Sequence, residues 1–440
     1  MAKILIIDSD GVGLSFAWRC AQAGHEVRWY LADKPSISPK TGDNFKGITK
    51  VKNWVSHVMW ADLVFPTSND RFLERLDFFR AKGAKVFGPT VASAKLEISR
   101  KTGMEVLERA GIEIAPFETF KNMKEALRYV ISSADRFVFK TLGDNEDKAL
   151  TYVSKNAADL ANWMERIIEL KEEPKGEVMV QKFIEGIEMG VSRWMGSSGW
   201  VGQWNDSFEH KKLMSGNYGY NTGEMGTIAA FTSESKLGTE TLAKLEGVLL
   251  SLGHRGDAAL GFIIDKAGQP WPTEWTCRPG WPIFNLMLGA TKEDPAKWMI
   301  DALGGSDTTS FREDIGCCLV ALHGKLDDAP PETASNVPIY GITRGSKKHL
   351  HPQAVKINVM RDMDGGRMVQ RPIWNTTGEY ALVVTGFGKD VKQAASRAYG
   401  TVEQLHLSNM AVRDDVGEEL KKQLPLLHKM GYATHFNYEG

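Results

Sequence analysis

The chain has 440 residues, of which 42% are hydrophobic and 25% charged, and its formal net charge is −1. The length exceeds the ~250–300 residues at which a single core stops growing, so we expect two to four domains. Near-neutral charge argues against strong non-specific binding to nucleic acid or to an acidic membrane. No apolar run reaches the ~18 residues of a membrane span, and "MAKILIIDSD" reads as a strand start rather than a signal peptide. We therefore expect a cytoplasmic protein without a membrane partner.

The N-terminal part of the chain alternates between short apolar runs and helical patterns. Buried strands are predicted at "KILIID", "HEVRWYLA", "ADLVFPT" and "AKVFGPT", with helices at "DGVGLSFAWRCAQAG" and "NDRFLERLDFFRAKG". Strands that alternate with helices form parallel sheets, so the pattern predicts a Rossmann-like domain over about residues 1–100.

Two glycines, Gly11 and Gly13, follow the first predicted strand in "DSDGVG". This segment is a poor dinucleotide fingerprint, because Asp8 or Asp10 stands at the position of its first glycine. It still opens a helix, whose N-terminus can hold an anion. A tight strand-to-helix turn without a ligand explains the glycines equally well.

The rest of the chain changes character twice. A helix that ends at Gly111 is predicted over "ASAKLEISRKTGMEVLERAG" (92–111), and short strands and helices follow to about residue 186. Strand content then rises to about residue 305, where "KAGQ" marks the turn of a hairpin. After "LGGSD" we predict strands at "IGCCLVALHG" and "EYALVVTGFG" and one helix at "DVKQAASRAYGTVEQL".

The four cysteines, Cys20, Cys277, Cys317 and Cys318, show no metal-ligand spacing. Cys317 and Cys318 are adjacent and stand in an apolar run. We expect reduced thiols in the core of a cytosolic protein.

A basic run and a glycine-rich run meet in "EHKKLMSGNYGYNTGEMG", residues 209–226. Glycine lets backbone N–H groups approach a ligand closely, and cations beside such a backbone suggest a phosphate or carboxylate guest. His210, Lys211 and Lys212 are the cations. A mobile surface loop with solvated charges is the alternative.

Two lysines, Lys140 and Lys148, flank the segment "TLGDNED". Lys140 ends the predicted strand "FVFK", and an ammonium on a buried strand needs an anionic partner, which a nucleotide phosphate would provide. A strand-end lysine that reaches water explains Lys140 as well.

Glu274, Thr276 and Arg278 share one face of the predicted strand "PTEWTCR", since side chains alternate along a strand. A carboxylate, a hydroxyl and a guanidinium on one face can hold Mg²⁺ and phosphate together. A cross-strand ion pair on an exposed sheet explains them equally well.

Four ordered segments resemble glycinamide ribonucleotide synthetase, a family of ATP-grasp ligases of purine synthesis. "VFGPTVASAKLEISRKTGMEVLERAGI" resembles the family's G-P-T-x-x-A-x-L-E-x-S-K segment, and "EHKK…GYNTGEMG" its D-H-K-R…G-P-N-T-G-G-M-G. "GFIIDKAGQPWPTEWTCRPG" resembles the strand pair that ends in E-x-N-x-R-x-G, and "VTGFGKDVKQAASRAYGTVEQL" with "VRDDVG" resembles the C-terminal domain. The resemblance runs nearly end to end.

The resemblance implies an α/β fold in three blocks. These are an N-terminal Rossmann-like domain (1–100), an ATP-grasp domain (101–305) whose lid spans about 117–183, and a small α+β C-terminal domain (306–440).

The resemblance also implies roles for individual residues in a site for ATP and Mg²⁺. The triphosphate and the reacting oxygens would contact Lys140, Lys148, His210, Lys211, Lys212 and Arg278. The adenine and ribose would contact Gln181, Phe183, Ile184 and Glu188, and the metal Glu274 and Thr276. The amino-acid site would be lined by Gly219, Asn221, Thr222 and Gly223, and the amine substrate would lie at Gly11 and Gly13.

The chain departs from the family pattern at the lid, the metal site and the amine site. The glycine-rich lid K-A-D-G-L-A-A-G-K-G reads "KTLGDNEDKA", and its acids Asp144, Glu146 and Asp147 would repel a triphosphate unless they point outward or hold a cation. The metal pair E-x-N becomes Glu274 and Thr276. G-D-P-E becomes "GWPI", and G-G-R-E-H-A becomes "DGVGLS".

The resemblance implies an ATP-dependent carboxylate–amine ligase that forms an amide through an acyl phosphate. An amino acid, glycine in the family, would be joined to phosphoribosylamine or to another amino-bearing nucleotide or modified base. Tryptophans 271, 275 and 281 could offer an apolar surface where the family has charge, although at least one of them is expected in the core. A non-catalytic relative that binds nucleotide or a partner protein is the alternative.

Overall fold

The computed structural model describes residues 1–69, 71–142, 150–292, 294–324 and 335–440. The predicted phosphate-binding Lys148 and the three lid acids, Asp144, Glu146 and Asp147, lie outside these residues.

The N-terminal unit is a parallel sheet with strand order β3-β2-β1-β4, which confirms the Rossmann-like prediction. Its first strand is buried along nearly its whole length, as a parallel strand covered on both faces should be. The last predicted strand, "AKVFGPT", is wrong as a strand and is reduced to two isolated bridges, Val86 with Val64 and Gly88 with Arg255. The elements are β1 (Lys3–Asp8), α1 (Leu14–Gln22), β2 (Glu26–Leu31), β3 (Ile48–Lys50), β4 (Leu63–Pro66) and α2 (Leu73–Arg80).

The prediction of one helix over 92–111 is wrong, because the segment forms two helices that are divided at Ser99. Helix α3 (Val91–Ile98) ends there, and α4 (Arg100–Arg109) begins there with the Ser99 side chain accepting a hydrogen bond from the Thr102 N–H. Serine competes with the helix backbone for hydrogen bonds, and it therefore favours a cap over a helix interior.

The lid is an antiparallel sheet with strand order β5-β8-β6-β7. Two amphipathic helices supply its separate core, in which Phe139, Leu160 and Met164 are fully buried. The elements are β5 (Phe117–Phe120), α5 (Met123–Ile131), β6 (Phe137–Thr141), β7 (Tyr152–Val153), α6 (Ala157–Glu169) and β8 (Val178–Lys182).

A long antiparallel sheet, with order β13-β12-β9-β10-β11-β14-β19-β16, forms the body of the molecule. The predicted hairpin around "KAGQ" is confirmed, with Leu260 paired to Trp275. The elements before residue 305 are β9 (Gly186–Met195), β10 (Trp200–Met214), β11 (Tyr218–Thr232), α7 (Lys236–Glu240), α8 (Glu246–Ser251), β12 (Gly256–Asp265), β13 (Pro270–Thr276), α9 (Ile283–Ala290) and α10 (Lys297–Leu303).

The sheet continues past residue 305, because β14 pairs with β11 at Gly226–Leu319. The four cysteines are free and buried, as predicted. The prediction of one C-terminal helix is wrong, since a second helix, α12, follows α11. The elements are β14 (Ile315–His323), β15 (Pro338–Ile339), β16 (Leu350–Pro352), β17 (Val355–Asp364), β18 (Arg367–Thr376), β19 (Tyr380–Gly388), α11 (Val391–Val402), β20 (Met410–Ala411) and α12 (Leu420–Lys429).

None of the helices within the described ranges is both long and apolar enough to cross a membrane.

Candidate functional site

A cleft of about 750 Å³ lies between the lid strands β6 and β8 and the central sheet. It brings together most of the residues that the sequence predicts for the nucleotide, the metal and the amino acid. Those in its wall are Lys140, Gln181, Phe183, Ile184, Glu188, His210, Lys211, Lys212, Asn221, Thr222, Gly223, Glu274, Thr276 and Arg278.

Lys211 on β10 lies at the centre of an acidic group in this cleft. Its Nζ lies 2.7 Å from Glu188 Oε1, 2.9 Å from Glu274 Oε1 and 3.5 Å from Glu209 Oε2. Burial disfavours the ammonium, but the charges of Glu274, Glu209 and Glu188 outweigh it and hold the pKa of Lys211 well above its ordinary value. These side chains are carried by β9, β10 and β13. They converge because β9 pairs with β10, and only β12 separates β9 from β13 in the sheet.

The acidic group fits a magnesium ion that arrives with a nucleotide. Mg²⁺ in nucleotide sites needs only one or two carboxylates, because phosphates and water complete its octahedron. Glu274 and Glu188 already share the Lys211 ammonium, so their oxygens lie close enough to serve one cation. Within the described ranges, no cluster of three or more His, Cys, Asp or Glu could enclose a metal ion. Thr276 lies two residues beyond Glu274, in the wall of the same cleft.

Glu224 is a further carboxylate at this site, and the sequence reasoning missed it. It is 3% exposed, and its Oε1 has no hydrogen-bond partner among the described residues. Burial and the nearby Glu209 raise the pKa of Glu224 well above its usual range. The signal was the replacement of a glycine in the G-G-M-G pattern by this acid.

The lid contributes Lys140 and an aromatic surface. Lys140 Nζ donates a hydrogen bond to Gln181 Oε1 at 2.7 Å, which places its ammonium on the cleft face of β6. The Arg136 guanidinium lies 3.5 Å from the centre of the Phe183 ring. Phe183 and Ile184 are both half-buried in the cleft wall, as a hinge that receives a flat base would be.

Arg278 enters the cleft from the segment after β13 and is oriented by Glu97 of α3. Arg278 Nε lies 3.2 Å from Glu97 Oε1. The other oxygen of Glu97 accepts hydrogen bonds from Asn69 Nδ2 and from the Cys277 N–H, both at 2.7 Å. Glu97 is therefore a positioning residue that sequence reasoning did not single out, although it lies in the "ASAKLEIS" segment.

The glycine-rich run is a paired hairpin rather than a mobile loop. Strands β10 and β11 pair from Trp204–Thr232 to Met214–Tyr218. The Thr222 hydroxyl donates to the Lys211 carbonyl at 2.9 Å, and Lys212 Nζ donates to the Gly219 carbonyl at 3.2 Å. Gly219 has φ +80°, a backbone conformation that would be strained with any side chain. Gly219 itself is not part of the cleft wall.

Arg413, nearly two hundred residues further along the chain, fixes the tip of this hairpin. Its buried guanidinium donates to the Lys212 carbonyl at 3.0 Å and to Asn217 Oδ1 at 2.7 Å, and it forms an ion pair with Asp415. Asp415 in turn accepts from the Gly216 N–H at 2.8 Å. The contact joins the C-terminal segment to the predicted amino-acid site.

His210 points to the opposite side of β10 from Lys211, because side chains alternate along a strand. Its Nε2 accepts a hydrogen bond from the Gly417 N–H at 3.2 Å, and its buried Nδ1 has no partner among the described residues. Burial, assisted by the charge of Arg413, lowers the pKa of His210 to about 4. His210 is therefore neutral at pH 7, and its predicted contact with phosphate oxygens is not supported by a charge on its ring.

The N-terminal turn at Gly11 and Gly13 does not present open N–H groups. The buried Asp8 carboxylate accepts hydrogen bonds from the N–H groups of Asp10, Gly11, Val12 and Gly13 at 2.7–3.2 Å. A phosphate at this helix N-terminus would have to displace Asp8. The N–H groups of this turn therefore do not support a phosphate there, while a place for the amine substrate beside Gly11, which lines a cavity next to the cleft, stays a prediction.

The tryptophans divide as the sequence suggested. Trp275 is 5% exposed and belongs to the core, which confirms the expectation for at least one of them. Trp281 instead lines the cleft, where its ring meets Tyr380 edge to face at 5.4 Å.

Known proteins resemble both the sequence and the fold. Residues 99–262 match the sequence profile of the family described as phosphoribosylglycinamide synthetase, ATP-grasp (A) domain. The phosphoribosylamine–glycine ligase of Neisseria meningitidis serogroup B is 24% identical over 95% of this chain and 99% of its own length. That of Ralstonia nicotianae is 27% identical over 78% of this chain and 80% of its own.

Solved structures share the architecture. The crystal structure of phosphoribosylamine–glycine ligase from Thermotoga maritima superimposes with a TM-score of 0.69 at 20% identity, covering 94% of this chain and 100% of that one. The ADP complex of N5-carboxyaminoimidazole ribonucleotide synthetase gives a TM-score of 0.59 at 14% identity, over 91% and 96% of the two chains.

Proposed function

The chain is a member of the ATP-grasp family, and we propose that it is an ATP-dependent ligase that joins the carboxylate of glycine to an amine. One observation carries the proposal: Lys140, Lys211, Arg278 and the Glu188–Glu274 pair all line one cleft between lid and sheet. The acceptor belongs to the class that includes phosphoribosylamine, amino-bearing nucleotides and modified bases.

The proposed reaction has two steps. A carboxylate oxygen of glycine attacks the γ-phosphorus of ATP, which gives an acyl phosphate and ADP. The amine nitrogen then attacks the carbonyl carbon. The C–N bond forms, the C–O bond to phosphate breaks, the electron pair leaves with the phosphate, and the amine loses one proton.

Side chains do little covalent work in such a reaction, so catalysis rests on orientation and on neutralising charge. Lys140 binds ATP phosphate from the lid, and Arg278, held by Glu97, binds the transferring phosphoryl group. Glu274 and Glu188 would hold a Mg²⁺ ion, which would supply positive charge against the phosphates. Lys211 keeps these two carboxylates together.

The wall formed by the hairpin supports an amino-acid site beside these groups. Asn221, Thr222 and Gly223 line the same cleft as Lys211, and the Arg413 contact fixes the hairpin that carries them. Glycine therefore binds between the hairpin and the phosphate-binding cations.

The test is trapping of the acyl phosphate. With ATP, Mg²⁺, glycine and hydroxylamine, the protein should form glycine hydroxamate and release phosphate, and omission of glycine should abolish both. Absence of hydroxamate across a panel of amino acids, despite ATP binding by calorimetry, would contradict the proposal.

A further inference from the structure

The hairpin wall of the cleft carries one carboxylate that the proposed reaction does not use. Glu224 on β11 lines the 750 Å³ cleft together with Asn221, Thr222 and Gly223. It is 3% exposed, and its Oε1 has no hydrogen-bond partner among the described residues. A buried carboxylate without a donor is costly, so a ligand that brings N–H donors and positive charge would stabilise it.

Glu224 adds to an acidic group that contains a single ammonium. Lys211 Nζ lies within 3.5 Å of carboxylate oxygens of Glu188, Glu209 and Glu274. Burial, and next to it the charge of Glu209, hold the pKa of Glu224 well above its usual range in the ligand-free protein. Four carboxylates and one ammonium therefore share this part of the cleft, and their mutual repulsion favours the binding of further cations.

The proposed ligands divide these carboxylates into two pairs. Glu188 on β9 and Glu274 on β13 are the proposed ligands of Mg²⁺. Glu209 and Glu224 lie on β10 and β11, the two strands of the hairpin whose wall is proposed to bind the amino acid. A cation at this second pair is therefore expected to arrive with the amino acid.

An α-amino acid carries a cation at the required place. Its carboxylate has to face ATP and the proposed phosphate-binding cations in order to attack the γ-phosphorus. In glycine a single carbon separates the carboxylate from the ammonium, so the ammonium then lies on the hairpin side of the site. Of the hairpin side chains there, Asn221 and Thr222 are uncharged, whereas Glu224 can accept charge-assisted hydrogen bonds from an ammonium.

Resting on the proposed ligase activity, we infer that Glu224, assisted by Glu209, binds the α-ammonium of the amino acid and thereby selects amino acids over carboxylates that lack an amino group. The site then recognises a zwitterion, with cations at its carboxylate end and carboxylates at its ammonium end. Glu224 is a feature of this chain, since the G-G-M-G pattern of the ligase family has glycine at its position.

The first experiment compares carboxylates that differ in the group at the position of the ammonium. Hydroxamate formation with ATP, Mg²⁺ and hydroxylamine is measured for glycine, glycolate and acetate. Glycine should exceed the other two by at least ~10²-fold in kcat/KM, because a site built to pair a polar group rejects analogues that leave it unpaired. Equal use of glycolate and glycine overturns the inference.

The second experiment removes the charge of Glu224. Glu224→Gln keeps the shape of the side chain, and the KM for glycine should rise at least ~10-fold, because a hydrogen bond to a charged group is lost. The preference for glycine over glycolate should fall by the same factor, while the Kd for ATP stays unchanged. Glu234→Gln, at an exposed position after β11, is the matched control.

Two results of this comparison would overturn the inference. Equal KM values for glycine in the two variants would mean that Glu224 does not contact the ammonium. A raised KM for hydroxylamine, with that for glycine unchanged, would place the amino group of the acceptor at Glu224 instead. The Tm of Glu224→Gln, compared with that of the parent, shows whether the variant is folded.

A binding measurement separates this inference from the proposed function. Calorimetry of glycine binding, with Mg²⁺ and a non-hydrolysable ATP analogue present, requires no turnover. The parent should bind glycine at least ~10-fold more tightly than Glu224→Gln. If no carboxylate gives a hydroxamate, the ligase proposal fails, and these affinities still test Glu224: equal affinities, or no binding of glycine to the parent, overturn the inference. If glycine and glycolate give hydroxamate equally well, the ligase proposal stands and the inference about Glu224 fails.

Discussion

Lys211 Nζ lies 2.9 Å from Glu274 Oε1, so a cation predicted for phosphate and a carboxylate predicted for metal bind each other directly. Glu188 lies 2.7 Å from the same nitrogen, so one ammonium is shared by two carboxylates and a net negative charge remains. Lys211 thus holds the two carboxylates near one position before any ligand arrives. Because this arrangement exists without a ligand, a single substitution that removes only the charge of Glu274 can test the contribution of that charge.

Replacement of Glu274 by Gln should reduce turnover while leaving the fold intact. The substitution keeps the shape and removes the negative charge that is proposed to hold Mg²⁺. We expect a fall in kcat of at least ~10²-fold, the ~2.7 kcal/mol scale of one preorganised electrostatic group, with little change in Tm. Glu234→Gln, at an exposed position after β11, is the control. Unchanged kcat in Glu274→Gln would remove this residue from the metal site.

Replacement of Lys140 by Met should weaken ATP binding. The ammonium lies on the cleft face of the lid and is held by Gln181 at 2.7 Å, while the methionine preserves the apolar stem. We expect the Kd for ATP, measured by calorimetry, to rise at least ~10-fold, or ~1.4 kcal/mol. Lys155→Met, exposed before α6, tests whether loss of any lid cation has this effect. Equal affinities in both variants would mean that Lys140 does not contact the nucleotide.

Replacement of Arg413 by Met should destabilise the protein and loosen the glycine-rich hairpin. The Arg413 side chain is 0% exposed, and its removal leaves Asp415 without its ion-pair partner. Breaking a buried pair in this way costs ~3–5 kcal/mol of unfolding free energy, which chemical denaturation would measure. We also expect a raised KM for glycine. Arg109→Met is the control, because the Arg109 side chain is 79% exposed; a similar loss of stability there would argue against a special role for Arg413.

Replacement of Asp206 by Asn should change how stability depends on pH. Burial raises the pKa of Asp206 from 3.8 to about 7 in the folded protein. The folded state therefore keeps a proton that the unfolded state releases near pH 4, and the stability of the parent falls as pH rises towards 7. The amide of the variant cannot titrate, and its oxygen can still accept the hydrogen bond that the Ser235 hydroxyl donates to Asp206 at 2.7 Å.

The unfolding free energy of Asp206→Asn minus that of the parent should therefore increase by ~2–3 kcal/mol between pH 5 and pH 8. The parent loses ~1.36 kcal/mol for each of the two pH units between pH 5 and the folded pKa of about 7. The nearby His435 has its pKa lowered to about 4 by burial and stays neutral across this range. Urea denaturation of both proteins at the two pH values measures the difference. A constant difference would mean that Asp206 is ionised throughout.

The sequence by itself predicted most of the local elements and a resemblance to known ATP-grasp ligases. Apolar runs such as "KILIID" and the turn "KAGQ" specify strands and a hairpin through side-chain alternation and turn chemistry among neighbouring residues. The motif around Lys211 and the strand that carries Glu274 were found because their residue types and spacing resemble the motifs of the ligase family. Their assigned roles remain predictions, but their convergence on one cleft follows from the sheet that those local patterns build.

Only the tertiary structure decided which distant groups meet. Asp8 fills the turn that looked like an anion site, Glu97 orients Arg278, and Arg413 fixes a hairpin nearly two hundred residues earlier. A mobile loop was the alternative for the glycine-rich run, because its composition favours turns, but it forms strand β11, which pairs with β10 and is held by Arg413. Such contacts depend on strand register and on which buried polar groups must be satisfied. The spacing of neighbouring residues specifies neither the register nor these polar contacts, because the side chains come into contact only when the sheets and the C-terminal segment pack together.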